Sequence, residues 1–214
     1  MLKASLIVFG AFAAVDASSA QALPLTLSLA NPGFETPIGY SKYPNGTTGL
    51  VWEGNAPSFG VEIFPSGFIN GVNAYQGNQF AEVQNNDILD SISQTVTGFI
   101  IGRPYSFSFA HRGRAGSDTL SFTVKNGGSS VFTSNYTAGN TAWILNTGTF
   151  VATASSLELV FQGVSNAVPS QPGVGNFIDA VSLVEVPGPL PLLGAASALA
   201  YTRRIRRRIS KARS

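Results

Sequence analysis

YSFSFAHRGRAGSDTLSFTV, residues 105–124, contains two runs in which every second residue is apolar. In the first run Tyr105, Phe107, Phe109 and His111 share one face, and Ser106, Ser108, Ala110 and Arg112 share the other. In the second run Leu120, Phe122 and Val124 alternate with Ser121 and Thr123. A period of two residues marks a strand with one buried face, because successive side chains point to opposite sides of a sheet.

The same reading extends outward. QFAEV (79–83), SISQTV (91–96), SLELVF (156–161) and NFIDAVSL (176–183) are short strand-like runs. NGG (126–128), AGN (138–140) and PSQPG (169–173) are turns or loops. No sustained helical period appears between the two ends of the chain. Strands with a single apolar face need a second sheet to cover that face. The expectation is an all-β fold, an antiparallel jelly-roll β-sandwich over residues 23–185.

The 214 residues include 23 Gly and 15 Phe but only 11% charged residues, which suits a turn-rich compact β chain. Cysteine is absent, so no disulfide forms. The net charge of +2 conceals an asymmetry. Seven basic residues crowd into 203–213, whereas residues 23–186 carry five (Lys42, Arg103, Arg112, Arg114, Lys125) against ten acids, about −5. Such a body lacks the broad basic face that nucleic acid requires.

The N-terminus, MLKASLIVFGAFAAVDASSAQA, has a basic Lys3, an apolar Leu6–Val15 run and an Ala20-Gln21-Ala22 cleavage site. Residues 1–22 therefore read as a secretory signal peptide. Near the other end, residues 190–202 form an uncharged apolar segment behind Pro187 and Pro189. As a helix it would span roughly 20 Å, against about 30 Å of hydrocarbon, which suits a transient stop in the membrane. The arginines after it would stay cytoplasmic.

This order of parts resembles the PEP-CTERM sorting signal of bacterial exported proteins. The matching residues are Val186, Pro187, Gly188 and Pro189, the apolar helix 190–202, and the basic tail 203–213 with Arg203, Arg204, Arg206, Arg207 and Arg208. Gly188 stands where the commonest motif has Glu. The resemblance implies an exosortase-like processing enzyme as partner, transient inner-membrane insertion, and a final place at the cell surface or in the extracellular matrix.

LANPGFETP (29–37) and NFIDAVSL (176–183) are similar to the bookends of galactose-binding-domain-like jelly rolls, which include carbohydrate-binding modules. The resemblance implies glycan binding. It also implies a structural calcium held by Glu35 and Asp179, since carboxylates suit that hard ion. The alternative is that backbone N–H groups or arginine satisfy both carboxylates.

The candidate ligand-binding residues are Trp52, Glu53, Tyr75, Gln79, Arg112, Arg114 and Trp143. Aromatic rings stack on sugars, and guanidinium forks and carboxylates bind hydroxyls or carboxylates. Against this, a tryptophan in a β-sandwich usually belongs to the core, and at least one of the two is expected there. Arg112 and Arg114 have a structural reading as partners of Glu82 or Asp179. His111 continues an apolar face and reads as a hydrogen-bonded core or rim residue.

No H-E-x-x-H, P-loop or G-x-S-x-G pattern occurs, and with one His no triad is apparent. The expected function is a non-catalytic exported surface or matrix protein that binds an extracellular polysaccharide. A structural surface protein without a small ligand is the second expectation. A glycosidase or esterase, which needs paired carboxylates in a cleft or an activated serine, is the third.

Overall fold

Alternating side chains sort the chain into two sheets. The computed structural model describes Leu27, residues 29–55 and residues 59–187. Eleven strands are described: β1 Ser41–Tyr43, β2 Glu53–Gly54, β3 Val61–Pro65, β4 Gln79–Glu82, β5 Ser91–Thr97, β6 Pro104–Gly113, β7 Asp118–Asn126, β8 Ser129–Ala138, β9 Ile144–Val151, β10 Ser156–Ser165 and β11 Asn176–Glu185. They form a six-stranded sheet, β1-β3-β4-β11-β6-β9, and a five-stranded sheet, β2-β5-β10-β7-β8. Every pairing is antiparallel. The architecture is the expected jelly-roll sandwich.

The core lies between the sheets. Tyr105, Phe107 and Phe109 of β6 face Phe122 and Phe161 of the other sheet, all buried. Ring centroids of Phe107 and Phe122 lie 4.6 Å apart, and those of Phe109 and Phe161 4.9 Å. Gly148 of β9 stands opposite Phe107, where a Cβ would come within 2.4 Å of the ring tip. A glycine there lets the large ring fill the layer.

The two sequence bookends meet in space. The Val181 N–H donates to Pro32 O (2.9 Å), and the indole N–H of buried Trp52 donates to Asn31 O (3.0 Å). β11 bulges between Asp179 and Ser182, with Ala180 at φ +50°. The bulge re-aims the strand where it meets the N-terminal loop.

Each expected strand is present. β1, β2, β3, β8 and β9 lie in stretches where no strand was expected. β3 is buried on both faces and so shows no alternation, whereas β8 and β9 are rich in Ser, Thr and Asn and half exposed. The expected signal peptide 1–22, and Gly188, Pro189, the apolar segment 190–202 and the arginines of the expected sorting segment, lie outside the described residues.

Candidate functional site

The outward face of the six-stranded sheet carries a second apolar layer. Phe64 of β3 pairs with Phe80 of β4, and Phe177 of β11 lies between Glu82 and Arg112. All three rings are buried, and Ile69, Val72, Ala74 and Trp143 pack against them. A sheet face that borders only water has no need of three phenylalanines, so this one is built to carry a surface of its own.

That surface has aromatic rings at both ends. At one end Tyr40 packs on Phe64 (centroids 5.1 Å) and stacks on Phe68 (4.6 Å). Tyr40 is 47% exposed and Phe68 56%. At the other end Trp143 meets Phe80 edge-on at 5.6 Å and Tyr75 at 6.3 Å, and its indole N–H donates to Asn73 O (2.8 Å).

Beside Tyr40 opens a polar groove of about 430 Å³, lined by Tyr40, Lys42, Glu62, Asn85, Asn86, Arg114 and the 171–174 loop. Register places Glu62 directly opposite Glu82 on adjacent strands. The Tyr40 hydroxyl donates to Glu62 Oε1 (3.1 Å). Lys42 Nζ lies 3.6 Å from Glu62 Oε2 and donates to Asn85 O. Arg114 Nη1 donates to Glu82 Oε2 (2.7 Å), the Gly175 N–H donates to Glu82 Oε1 (2.7 Å), and the guanidinium lies over the Phe64 ring.

Burial pushes the Glu82 carboxyl up to about 8, against the pull of Arg114 and the Gly175 N–H. Burial also raises Glu62, opposed chiefly by Lys42. Two acids on neighbouring buried positions are accommodated because each has its own cation and hydrogen-bond donors.

The sequence candidates separate. Trp143, Tyr75, Arg112 and Arg114 share this face. Arg114 takes Glu82 as its partner, in line with the structural reading. Arg112 pairs with neither Glu82 nor Asp179; its Nη2 donates to Asn140 O (2.6 Å). Trp52 is a correction to the stacking role: it is 0% exposed and packs on Phe34 and Phe161, because a ring of that size fills the space between the sheets.

Gln79 is a second correction. Its amide donates to Phe34 O (2.8 Å) and Pro37 O (2.9 Å) and accepts from the Gly39 N–H, which consumes its polar capacity in pinning the N-terminal loop. Glu53 is exposed but lies on the other sheet, beside a hollow of about 390 Å³ with Ser93, Thr95 and Glu158. His111 is buried and its Nε2 bonds Asn176 Oδ1 (2.7 Å), as expected for a core histidine.

Tyr40, Lys42, Glu62 and Phe68 were absent from the sequence candidates. Glu62 inside the apolar run VEIFP was the available signal, since a carboxylate amid core residues needs a partner.

Glu35 and Asp179 come together beside Gly33: a Cβ there would lie 3.9 Å from Glu35 Oε1 and 3.6 Å from Asp179 Oδ1. Backbone N–H groups of Asn78 and Gln79 donate to Glu35 Oε1, and that of Gln76 donates to Asp179 Oδ2. Gly77, at φ +73°, lets the backbone press against Glu35. Asp179 is pushed up to about 6 by burial, with Glu35 adding to the shift. Two carboxylates brought to one loop supply oxygen donors of the kind a hard cation takes. No group of three or more His, Cys, Asp or Glu side chains gathers among the described residues.

No family model and no curated protein matches the chain. Among solved structures it is similar to a cyclase from Fischerella sp. TAU, at 15% identity and TM-score 0.56, over 78% of this chain and 100% of that one. A cyclase from Fischerella sp. TAU in complex with 4-(1H-indol-3-yl)butan-2-one gives TM-score 0.57 at 15% identity, over 77% and 99%. TmCBM61 in complex with β-1,4-galactotriose gives TM-score 0.45 at 19% identity, over 75% and 99%. At these identities the likeness to the cyclases is one of fold alone.

Proposed function

We propose that the domain is a non-catalytic exported module that binds glycan on the outward face of its six-stranded sheet. The observation that carries this reading is the exposed Tyr40–Phe68 stack beside the polar groove. A pyranose ring presents an apolar C–H face that stacks on such rings, and its hydroxyls bond the carboxylate, ammonium and guanidinium groups alongside. The signal peptide and the sorting segment bring the domain to the cell surface or matrix through an exosortase-like enzyme. Glu35 and Asp179 would hold a calcium ion whose charge relieves their repulsion and ties the two bookends together.

The test is a glycan array probed with the full chain and with a Tyr40→Ala/Phe68→Ala variant of matched melting temperature. Polysaccharide binding that falls at least tenfold in the variant is the expected result, since each stacking contact contributes about 1 kcal/mol or more. Binding to no polysaccharide would overturn the reading in favour of a structural surface protein.

One observation favours a second reading, glycoside hydrolysis. Glu62 and Glu82 face each other across adjacent strands, and burial raises both. New reducing ends from a bound polysaccharide, abolished by Glu62→Gln, would establish it.

A further inference from the structure

Three of the five cations in residues 23–186 lie on one face of a body whose charge is about −5. Lys42, Arg112 and Arg114 belong to the outward face of the six-stranded sheet. Of the other two, Arg103 pairs with Glu185 (3.8 Å), and Lys125 stands opposite Glu158 in the other sheet. The cations and acids of the groove differ in depth. The Lys42 side chain is 40% exposed over a Glu62 side chain that is 4% exposed, and Arg114 is 19% exposed over a Glu82 that is 0% exposed. A ligand entering the groove meets the cations first. The carboxylates lie beneath them and spend their oxygens on Tyr40, Arg114 and the Gly175 N–H.

Arg112 is the least compensated of the three. It has no carboxylate within ion-pair distance among the described residues. Its one protein acceptor is Asn140 O, and its Nε is buried without a partner. Arg112 is the last residue but one of β6, and Arg114 follows just past the strand's end at Gly113. Between them and the rings of Tyr40 and Trp143, the face combines stacking platforms with fixed positive charge.

We propose that this face selects an acidic polysaccharide, one carrying carboxylate groups along its chain, with Arg112 and Arg114 receiving the carboxylates and the aromatic rings receiving the sugar planes. Guanidinium forks match carboxylates in geometry and give charge-assisted bonds that a neutral sugar cannot. The inference rests on the glycan-binding reading and adds the charge of the ligand to it.

The basic tail would bind any polyanion, so the test uses the full chain with residues 203–213 neutralised by Arg→Gln and Lys→Gln changes. Affinity electrophoresis compares polygalacturonate with neutral β-1,4-galactan. The expected result is retardation by polygalacturonate at least about tenfold stronger than by galactan, weakening as salt is added. Arg112→Gln should weaken it by about tenfold, and Arg112→Lys, which keeps the charge and loses the fork, should recover only part of it, with both variants melting like the parent. Equal binding of galactan, unchanged by Arg112→Gln, would overturn the acidic selectivity and leave glycan binding standing. Retardation by neither polymer would overturn the acidic selectivity, and the glycan array then decides the glycan-binding reading by itself.

Discussion

His111 shows how a single residue is decided by its surroundings. Its imidazole is buried between the sheets, and burial pulls its pKa from 6.5 down to about 4 although Asn176 bonds the ring. Below pH 6.5 the unfolded chain takes up a proton that the folded chain refuses until about pH 4. The His111 contribution is therefore intact above pH 6.5 and is lost as pH falls, by up to roughly 3 kcal/mol. Glu82 and Asp179, both raised, slope the opposite way, losing stability as pH rises from the ordinary carboxylate range toward 8 and 6. Urea unfolding of wild type and His111→Gln at pH 4 to 8 isolates the histidine: the difference between the two curves should fall away below pH 6.5 and be flat above it.

Asp179 supports a second prediction at this scale. Calcium should raise the melting temperature by several degrees over a chelator control, since a ligand present at 100 times its Kd adds about 2.7 kcal/mol. Asp179→Asn should remove the calcium response. An identical melting temperature with and without calcium would assign the pair to the backbone N–H groups alone.

Among the elements, β6 was legible because its two faces differ: Tyr105, Phe107, Phe109 and His111 turn inward, and Ser106, Ser108 and Arg112 turn outward. β3 was not legible, because Val61 and Ile63 serve the inner core while Glu62 and Phe64 serve the outer layer, and a strand buried on both faces has no period to read. The candidate site inherits this blindness, since its floor is β3. The packing of β9 on β6 gives a sharp test. Gly148→Ala would place a Cβ 2.4 Å from the Phe107 ring, and overpacking of this kind costs about 1–3 kcal/mol. Thermal denaturation should show a lowered midpoint, and Gly148→Ala combined with Phe107→Leu should recover part of it.

At the scale of the whole molecule, charge is partitioned by position. The basic residues that set the overall charge crowd into 203–213, outside the acidic body, after Pro187, Pro189 and an apolar run. The proposal of export and processing makes a mass prediction. Intact-mass spectrometry of protein recovered from the surface of an exosortase-bearing host should find a species lacking residues 1–22 and the residues beyond about 187. Full-length mass at the surface would contradict it.

By itself, the sequence determined the two-sheet architecture, the inward faces of β6, β7 and β10, and the split between an acidic body and a basic tail. These follow from local periods and composition, which need no knowledge of what lies across the sheet. Only the tertiary structure decided that Trp52 and Gln79 are structural, that Glu53 lies on a different face from Trp143, and that Tyr40, Phe68, Lys42, Glu62 and Arg114 meet around one groove. These residues are separated by up to 74 positions in the chain, and strand order and register alone bring them together.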